Sequence, residues 1–261
     1  MSSVGRRAIA GVVVAAAVAG GAVIARADDT TVRAAAAEGG LGVKPVLIEK
    51  TAGAGAVGTL TVANRSSKRV DVEVTPRPWV QSTSGAVSVN RGKTLAGIAV
   101  DAPSFALAAG AEKTVSVTAS TGAPTFGGIE VTGLPTGADS KSGVVAGYRL
   151  VTSLRLNPAT AVLSLKAGSP KVTGSGSKRA VVLPVRNTGN TIAPVTGNVR
   201  LKGALGTRQS TLAAVRVLPG KTVNVLLSSV GNLRPGSYTA TVQLKLGGKT
   251  TTVAKKLTIK R

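Results

Sequence analysis

The chain has 261 residues, 33 Lys and Arg against 10 Asp and Glu, a formal net charge of +23, and neither Cys nor His. No disulfide framework, thiolate metal site, Ser-His-Asp triad or Cys-His pair is therefore possible. Aromatics are confined to Trp79, Phe105, Phe126, Tyr148 and Tyr238, too few for a base-stacking platform, while 43% hydrophobic residues are enough for a packed core.

Arg6 and Arg7 form a positive n-region, residues 8–24 are an apolar stretch of Ala, Val, Ile and Gly, and Ala25-Arg26-Ala27 is a small-residue cleavage site. The expectation is an export signal over residues 1–27 with Asp28 as the mature N-terminus. An uncleaved anchor is the rival reading; the stretch is at the short edge of a membrane span, and Gly20-Gly21 weaken it as a helix. The residues after Arg7 fit a twin-arginine signal poorly, which favours general secretion. No comparable apolar run follows, so no transmembrane span is expected in the mature chain. An exported chain without disulfides needs a core large enough to hold it alone.

Residues 28–42 are rich in Ala and Gly and read as a flexible lead-in. Short apolar runs follow at Val43–Thr51, Gly58–Ala63, Val70–Val74, Ala86–Val89, Ile98–Val100, Thr114–Thr118, Gly128–Val131 and Val144–Leu156. Val70, Val72 and Val74 alternate with Asp71 and Glu73, the period of a half-buried strand. Gly53-Ala54-Gly55, Asn64-Arg65-Ser66-Ser67, Asn90-Arg91-Gly92 and Ala109-Gly110-Ala111 are turn signals between the runs. No stretch after residue 40 has the length, period and caps of a helix. Strands at this spacing predict an all-β sandwich over residues 43–158.

A second series runs through Ala161–Leu165, Ala180–Arg186, Gly197–Lys202, Leu212–Val217, Thr222–Leu227, Ser237–Leu246 and Thr250–Ile259. Gly247-Gly248 predicts a two-residue hairpin turn. Asn187-Thr188-Gly189-Asn190 closes the second strand with residues that tolerate positive φ. The expectation is a second sandwich over residues 160–261, so the fold class is two tandem immunoglobulin-like β-sandwiches.

Residues 43–158 resemble the N-terminal immunoglobulin-like domain of periplasmic pilus chaperones and of Gram-positive WxL-interacting surface proteins. The matching residues are Gly58–Ser66, Pro78-Trp79-Val80, Ala102–Leu107 with Gly110 and Thr114–Val117, Phe126–Ile129 and Leu154–Pro158. Asn187–Asn190 and Pro235–Tyr238 resemble a second immunoglobulin-like module that follows such domains. The resemblance implies a protein partner bound by strand donation. In the chaperones an Arg on the first strand and a Lys on the last hold the partner's C-terminal carboxylate. Here the first strand offers Lys44 and Lys50, the last offers Arg149 and Arg155, and Ser153 stands where the Lys is expected.

Signals for catalysis are weak. Ser175-Gly176-Ser177-Lys178 matches S-x-x-K but sits in a Gly/Ser-rich turn. Asp71 and Glu73 read as a solvated face rather than a glycosidase pair. Leu134-Pro135-Thr136-Gly137 reads as a turn, as does the glycosylation-like triplet Asn64-Arg65-Ser66. Trp79 reads as a core residue in preference to a sugar-stacking platform. No catalytic residue, metal site or cofactor is expected.

Charge supplies the strongest functional clue. All ten acids precede residue 140, and from Thr160 onward there are seventeen Lys and Arg and no acid. Such a surface attracts polyanions. Outside a cell these are wall polymers and anionic lipid headgroups, and DNA is not the expected partner. The expectation is an exported, non-enzymatic cell-envelope binding protein. Its first sandwich would meet an envelope protein partner, and its second would attach to an anionic wall polymer or lipid surface through Arg200, Lys202, Lys245, Lys256 and Lys260. The alternative is an extracytoplasmic chaperone for surface or pilus-like subunits.

Overall fold

The computed structural model describes residues 40–138 and 145–260. The expected export signal over residues 1–27 lies outside them, as does the lead-in up to residue 39. Two compact units emerge: residues up to Pro78 with Val89–Leu156, and Trp79–Ser88 with the chain from Asn157 onward.

The first unit is built from β1 (Leu41–Lys44), β2 (Leu47–Thr51), β3 (Gly55–Asn64), β4 (Val70–Gln81), β5 (Val87–Val89), β6 (Ile98–Val100), β7 (Ser104–Leu107), β8 (Glu112–Ala119), β9 (Thr125–Pro135) and β10 (Tyr148–Asn157). One sheet has the order β1-β3-β8-β6 and the other β2-β10-β9-β4-β5, with β7 also on β4. Leu60, Val62, Val70, Val72, Val115, Val117, Ile129, Val131 and Leu154 fill the space between, all within 1% of complete burial. Asp71 and Glu73 are exposed between their buried valines, as the alternation predicts.

The run Val43–Thr51 is two strands, not one. Pro45 has no N–H to give a ladder, and the chain leaves β3 there to join the opposite sheet as β2. A further strand, β7, comes from Ser104–Leu107, which the sequence reading took only as part of a family resemblance.

The second unit continues with β11 (Leu165–Ala167), β12 (Lys171–Thr173), β13 (Ala180–Asn187), β14 (Pro194–Gly203), β15 (Gly206–Arg216), β16 (Thr222–Ser229), β17 (Gly236–Leu246) and β18 (Lys249–Ile259). β13 carries β11 and β12 along one side and β16 along the other, and the facing sheet has the order β15-β14-β17-β18. Gly247, at φ +56°, turns the β17–β18 hairpin. The expected strand Ala161–Leu165 is displaced to β11, because Asn190 holds the earlier segment as a loop: its Oδ1 accepts from Val162 N–H at 2.7 Å. Ser175–Lys178 is a turn with a short exposed 3₁₀ segment, Gly176–Lys178, and forms no site.

Each unit pins a strand end with one buried asparagine. Asn64 Nδ2 donates to the carbonyls of Lys68, Leu107 and Ala108 at 2.7, 3.0 and 3.0 Å, and its Oδ1 accepts from Ser66 N–H at 3.0 Å. Asn187 Nδ2 donates to Thr191 and Val217 at 2.6 and 2.7 Å, and its Oδ1 accepts from Gly189 N–H at 2.9 Å. The triplet at Asn64 is therefore an internal turn. Residues 187–190, which tolerate positive φ, do not adopt it; side-chain hydrogen bonds make the corner.

Trp79 is also corrected. It lies toward the end of β4, is half-buried, and belongs to neither buried cluster. The core stops short of it because the strand has passed from the first unit into the residues 79–88 grouped with the second. In that group Gln81 uses its whole amide: Nε2 donates to Arg216 O at 2.6 Å and Oε1 accepts from Leu218 N–H at 2.9 Å.

Candidate functional site

β10 has two unlike halves. Ser153 N–H donates to Val46 O at 2.9 Å, and Arg155 pairs with Glu49 at 3.5 Å. This order sets β2 alongside the half of β10 that follows Thr152. Among the described residues, no strand lies against the outer side of Tyr148–Thr152. Main-chain groups alternate sides along a strand. Because Ser153 points its N–H toward β2, Val151 and Arg149 point theirs to the uncovered side. Their side chains stand on the outer face of the sheet, Val151 at 42% exposure.

A buried carboxylate lies beside this edge. Ile129 and Val131 of β9 face the core, so alternation turns Glu130 to the opposite face. Its side chain is nevertheless only 4% exposed, because three arginines cover it. Arg77 Nε of β4 reaches Oε2 at 3.3 Å, and Arg91 Nε, from the turn after β5, reaches Oε1 at 2.8 Å. Arg149 Nε of β10 approaches the same Oε1 at 3.5 Å.

The arginines differ in freedom. Arg77 also donates Nη1 to the carbonyl of Arg91 at 2.9 Å, and its side chain is 22% exposed. Arg91 and Arg149 are 57% and 44% exposed. They border a cleft of about 500 Å³ whose floor includes Thr75 and Thr132, with Asp71 and Glu73 toward the other end. One row across the sheet reads Glu73, Thr132, Arg149. The cluster escaped the sequence reading because its members lie on three strands and a turn. The only local signal was an acid within the apolar run Gly128-Ile129-Glu130-Val131.

The residues set against the chaperone carboxylate pair are engaged elsewhere. Lys44 meets Glu112 at 3.5 Å, Lys50 Nζ donates to Ala56 O at 3.1 Å, Arg155 faces Glu49 and Arg149 faces Glu130. Asp101 accepts from Ser116 N–H at 2.9 Å. Hydrogen bonding from Ser116 holds its carboxyl below the ordinary carboxylate range.

The five cations expected to bind polyanions are all exposed. Register sets Lys202, Thr239 and Lys256 in one row, with Arg200 two residues along β14 on the same face. Lys202 and Lys256 are thus two strand spacings apart, roughly 10 Å. Lys245 lies six residues along β17 from Thr239, about 20 Å away. Lys260 follows β18, and its carbonyl accepts from Arg179 Nη2 at 3.0 Å. The fold gathers Arg200, Lys202 and Lys256 and leaves Lys245 apart.

No protein-family model and no curated protein matches the chain. Solved structures do. A chain from a chaperone–tip adhesin complex of CFA/I fimbriae biogenesis aligns with a TM-score of 0.53 at 13% identity, over 83% of this chain and 99% of that one. The class 5 fimbriae chaperone CfaA aligns at 0.50 and 13% identity, over 82% and 98%. The chain shares the all-β, two-sandwich fold of these chaperone structures.

Proposed function

We propose that this chain is an extracytoplasmic, non-enzymatic, chaperone-like protein that receives an extended segment of a protein partner on the uncovered half of β10. The observation that carries the reading is the outer side of Tyr148–Thr152, against which no described strand lies and where Arg149 and Val151 offer main-chain donors and acceptors. A strand added there gains ladder hydrogen bonds, and its alternate side chains meet the exposed Val151. The shared fold supports this reading, since one similar structure is described as a fimbriae chaperone and the other as a chaperone–tip adhesin complex. It takes precedence over wall attachment as the main activity.

The test is a photo-cross-linking residue at Val151 in the exported chain, with Thr252 as control. A protein adduct from position 151, with Arg149 and Val151 amides slowed in hydrogen exchange by that protein, is the expected result. An adduct with polymer alone, or equal yield from both positions, rejects the reading.

Attachment to an envelope polyanion is a second reading. It rests on the gathering of Arg200, Lys202 and Lys256 on a face without acids, with Lys245 and Lys260 as outlying contributors.

A further inference from the structure

The cluster over Glu130 holds more positive charge than it needs. One carboxylate opposes three guanidiniums, and among the described residues only Arg77 is satisfied by main-chain carbonyls as well. Arg91 and Arg149 share a single acceptor oxygen, which keeps their Nε atoms within about 6 Å of each other. Each spends Nε on Glu130. Among the described residues, neither meets another acid within ion-pair distance, and both residues border the cleft. Two guanidiniums held near one acceptor oxygen leave further N–H donors for a second carboxylate.

The position of this pair is informative. Arg149 lies in the uncovered half of β10, and its side chain stands on the outer face of the sheet. A strand laid against that edge sets a residue directly across from Arg149, on the same face, with Cβ atoms about 5 Å apart. The residue two positions along then meets Val151.

We infer that Arg91 and Arg149, positioned by Glu130, clamp an acidic side chain of the strand that pairs with β10. The inference rests on the strand-edge reading above and adds to it the chemistry of the partner segment. That segment carries Asp or Glu opposite Arg149 and an apolar residue two positions away on the same face. Glu130 is a positioning residue: it turns two flexible cations into a fixed pair and keeps their mutual repulsion tolerable.

Two synthetic ten-residue peptides of alternating Val and Thr test this, one with a central Glu and one with Gln. Each is titrated into the chain lacking residues 1–27, read by fluorescence anisotropy and by the arginine Nε–H signals in NMR. The Glu peptide is expected to bind about twofold to fivefold more tightly at low salt, the size of one partly exposed ion pair. The preference for the Glu peptide should vanish in Arg149→Gln. Equal affinity for both peptides overturns the clamp and leaves the strand edge standing. If neither peptide binds, the edge reading falls, and N-acetylglutamate decides the clamp: unmoved Arg91 and Arg149 Nε–H signals reject it. Signals that move with inorganic phosphate but not with N-acetylglutamate also overturn the acidic side chain as occupant.

Discussion

Asn187 donates its side-chain amide to the Val217 carbonyl at 2.7 Å, and Asn187 itself is only 2% exposed. The strand β13 thereby ends in a corner without positive φ, although Gly189 is needed there because a Cβ would collide with the Val162 carbonyl. Removing the amide takes the donor from the buried Val217 carbonyl and the part-buried Thr191 carbonyl, while the Gly189 N–H keeps Ser164 O at 3.2 Å. Asn187→Ala should destabilise the second unit by about 2–4 kcal/mol, and Asn64→Ala should do the same to the first. Urea unfolding measures both; a loss under about 0.5 kcal/mol in either variant means water replaces the amide without cost.

Glu130→Gln leaves three guanidiniums facing one neutral amide. Removing one partner of a fully buried pair costs about 3–5 kcal/mol, and these arginines reach water, so about 2–3 kcal/mol is expected. Added sulfate should restore part of the loss by occupying the vacated charge. Thermal unfolding in sulfate and in chloride of equal ionic strength distinguishes such occupancy from general screening.

Trp79→Ala should cost about 1–2 kcal/mol, less than the roughly 3–5 kcal/mol of a buried aromatic, because the indole is only half-buried. Chemical denaturation checks this. A larger loss would show that the ring carries packing beyond its buried share.

Replacing Arg200, Lys202 and Lys256 together with Gln should weaken binding to anionic vesicles more than replacing Lys245 with Lys260, since the first set is clustered. Unfolding midpoints should stay within about 0.5 kcal/mol of the parent. Binding should fall steeply by 0.5 M salt, where the Debye length is about 4 Å. Equal losses from the two sets, in a vesicle flotation assay, would remove the clustered face from the argument.

Asp101 sets a pH dependence of known sign. Its folded carboxyl is held below the ordinary range, chiefly by hydrogen bonding from Ser116. The stability it adds is complete above the unfolded-state value near pH 4 and is lost as pH falls through the lowered folded value. Asp101→Asn should remove that part of the acid limb and leave neutral-pH titration unchanged. Overlapping acid limbs for parent and variant would deny the coupling.

Period-two alternation read the long strands well. Val70–Val74, Ala180–Arg186 and Ser237–Leu246 each lie within an observed strand, since one buried face suffices to specify them. Partner-dependent features were illegible. β7 is four residues long and exists because β4 is there to pair with it. Trp79 was assigned to a core by the company it keeps in sequence, yet its strand outruns that core. Glu130 needed residues 39 and 53 positions away to become a buried ion cluster. The basic face was half legible: alternation exposed Arg200, Lys202 and Lys245, while only the register across β14, β17 and β18 shows which cations are neighbours.

The uncovered half of β10 has a cost when no partner is present. An open strand edge is a template for any other open edge, including that of a second copy, and such pairing leads to aggregation. Arg149 stands in that stretch. Two copies meeting edge to edge would bring their Arg149 side chains toward one another across the new ladder, with an excess of guanidinium on each side. The residue thus serves as a gatekeeper, and its charge sorts comers: it repels its own kind and leaves the strand open to an oppositely charged segment.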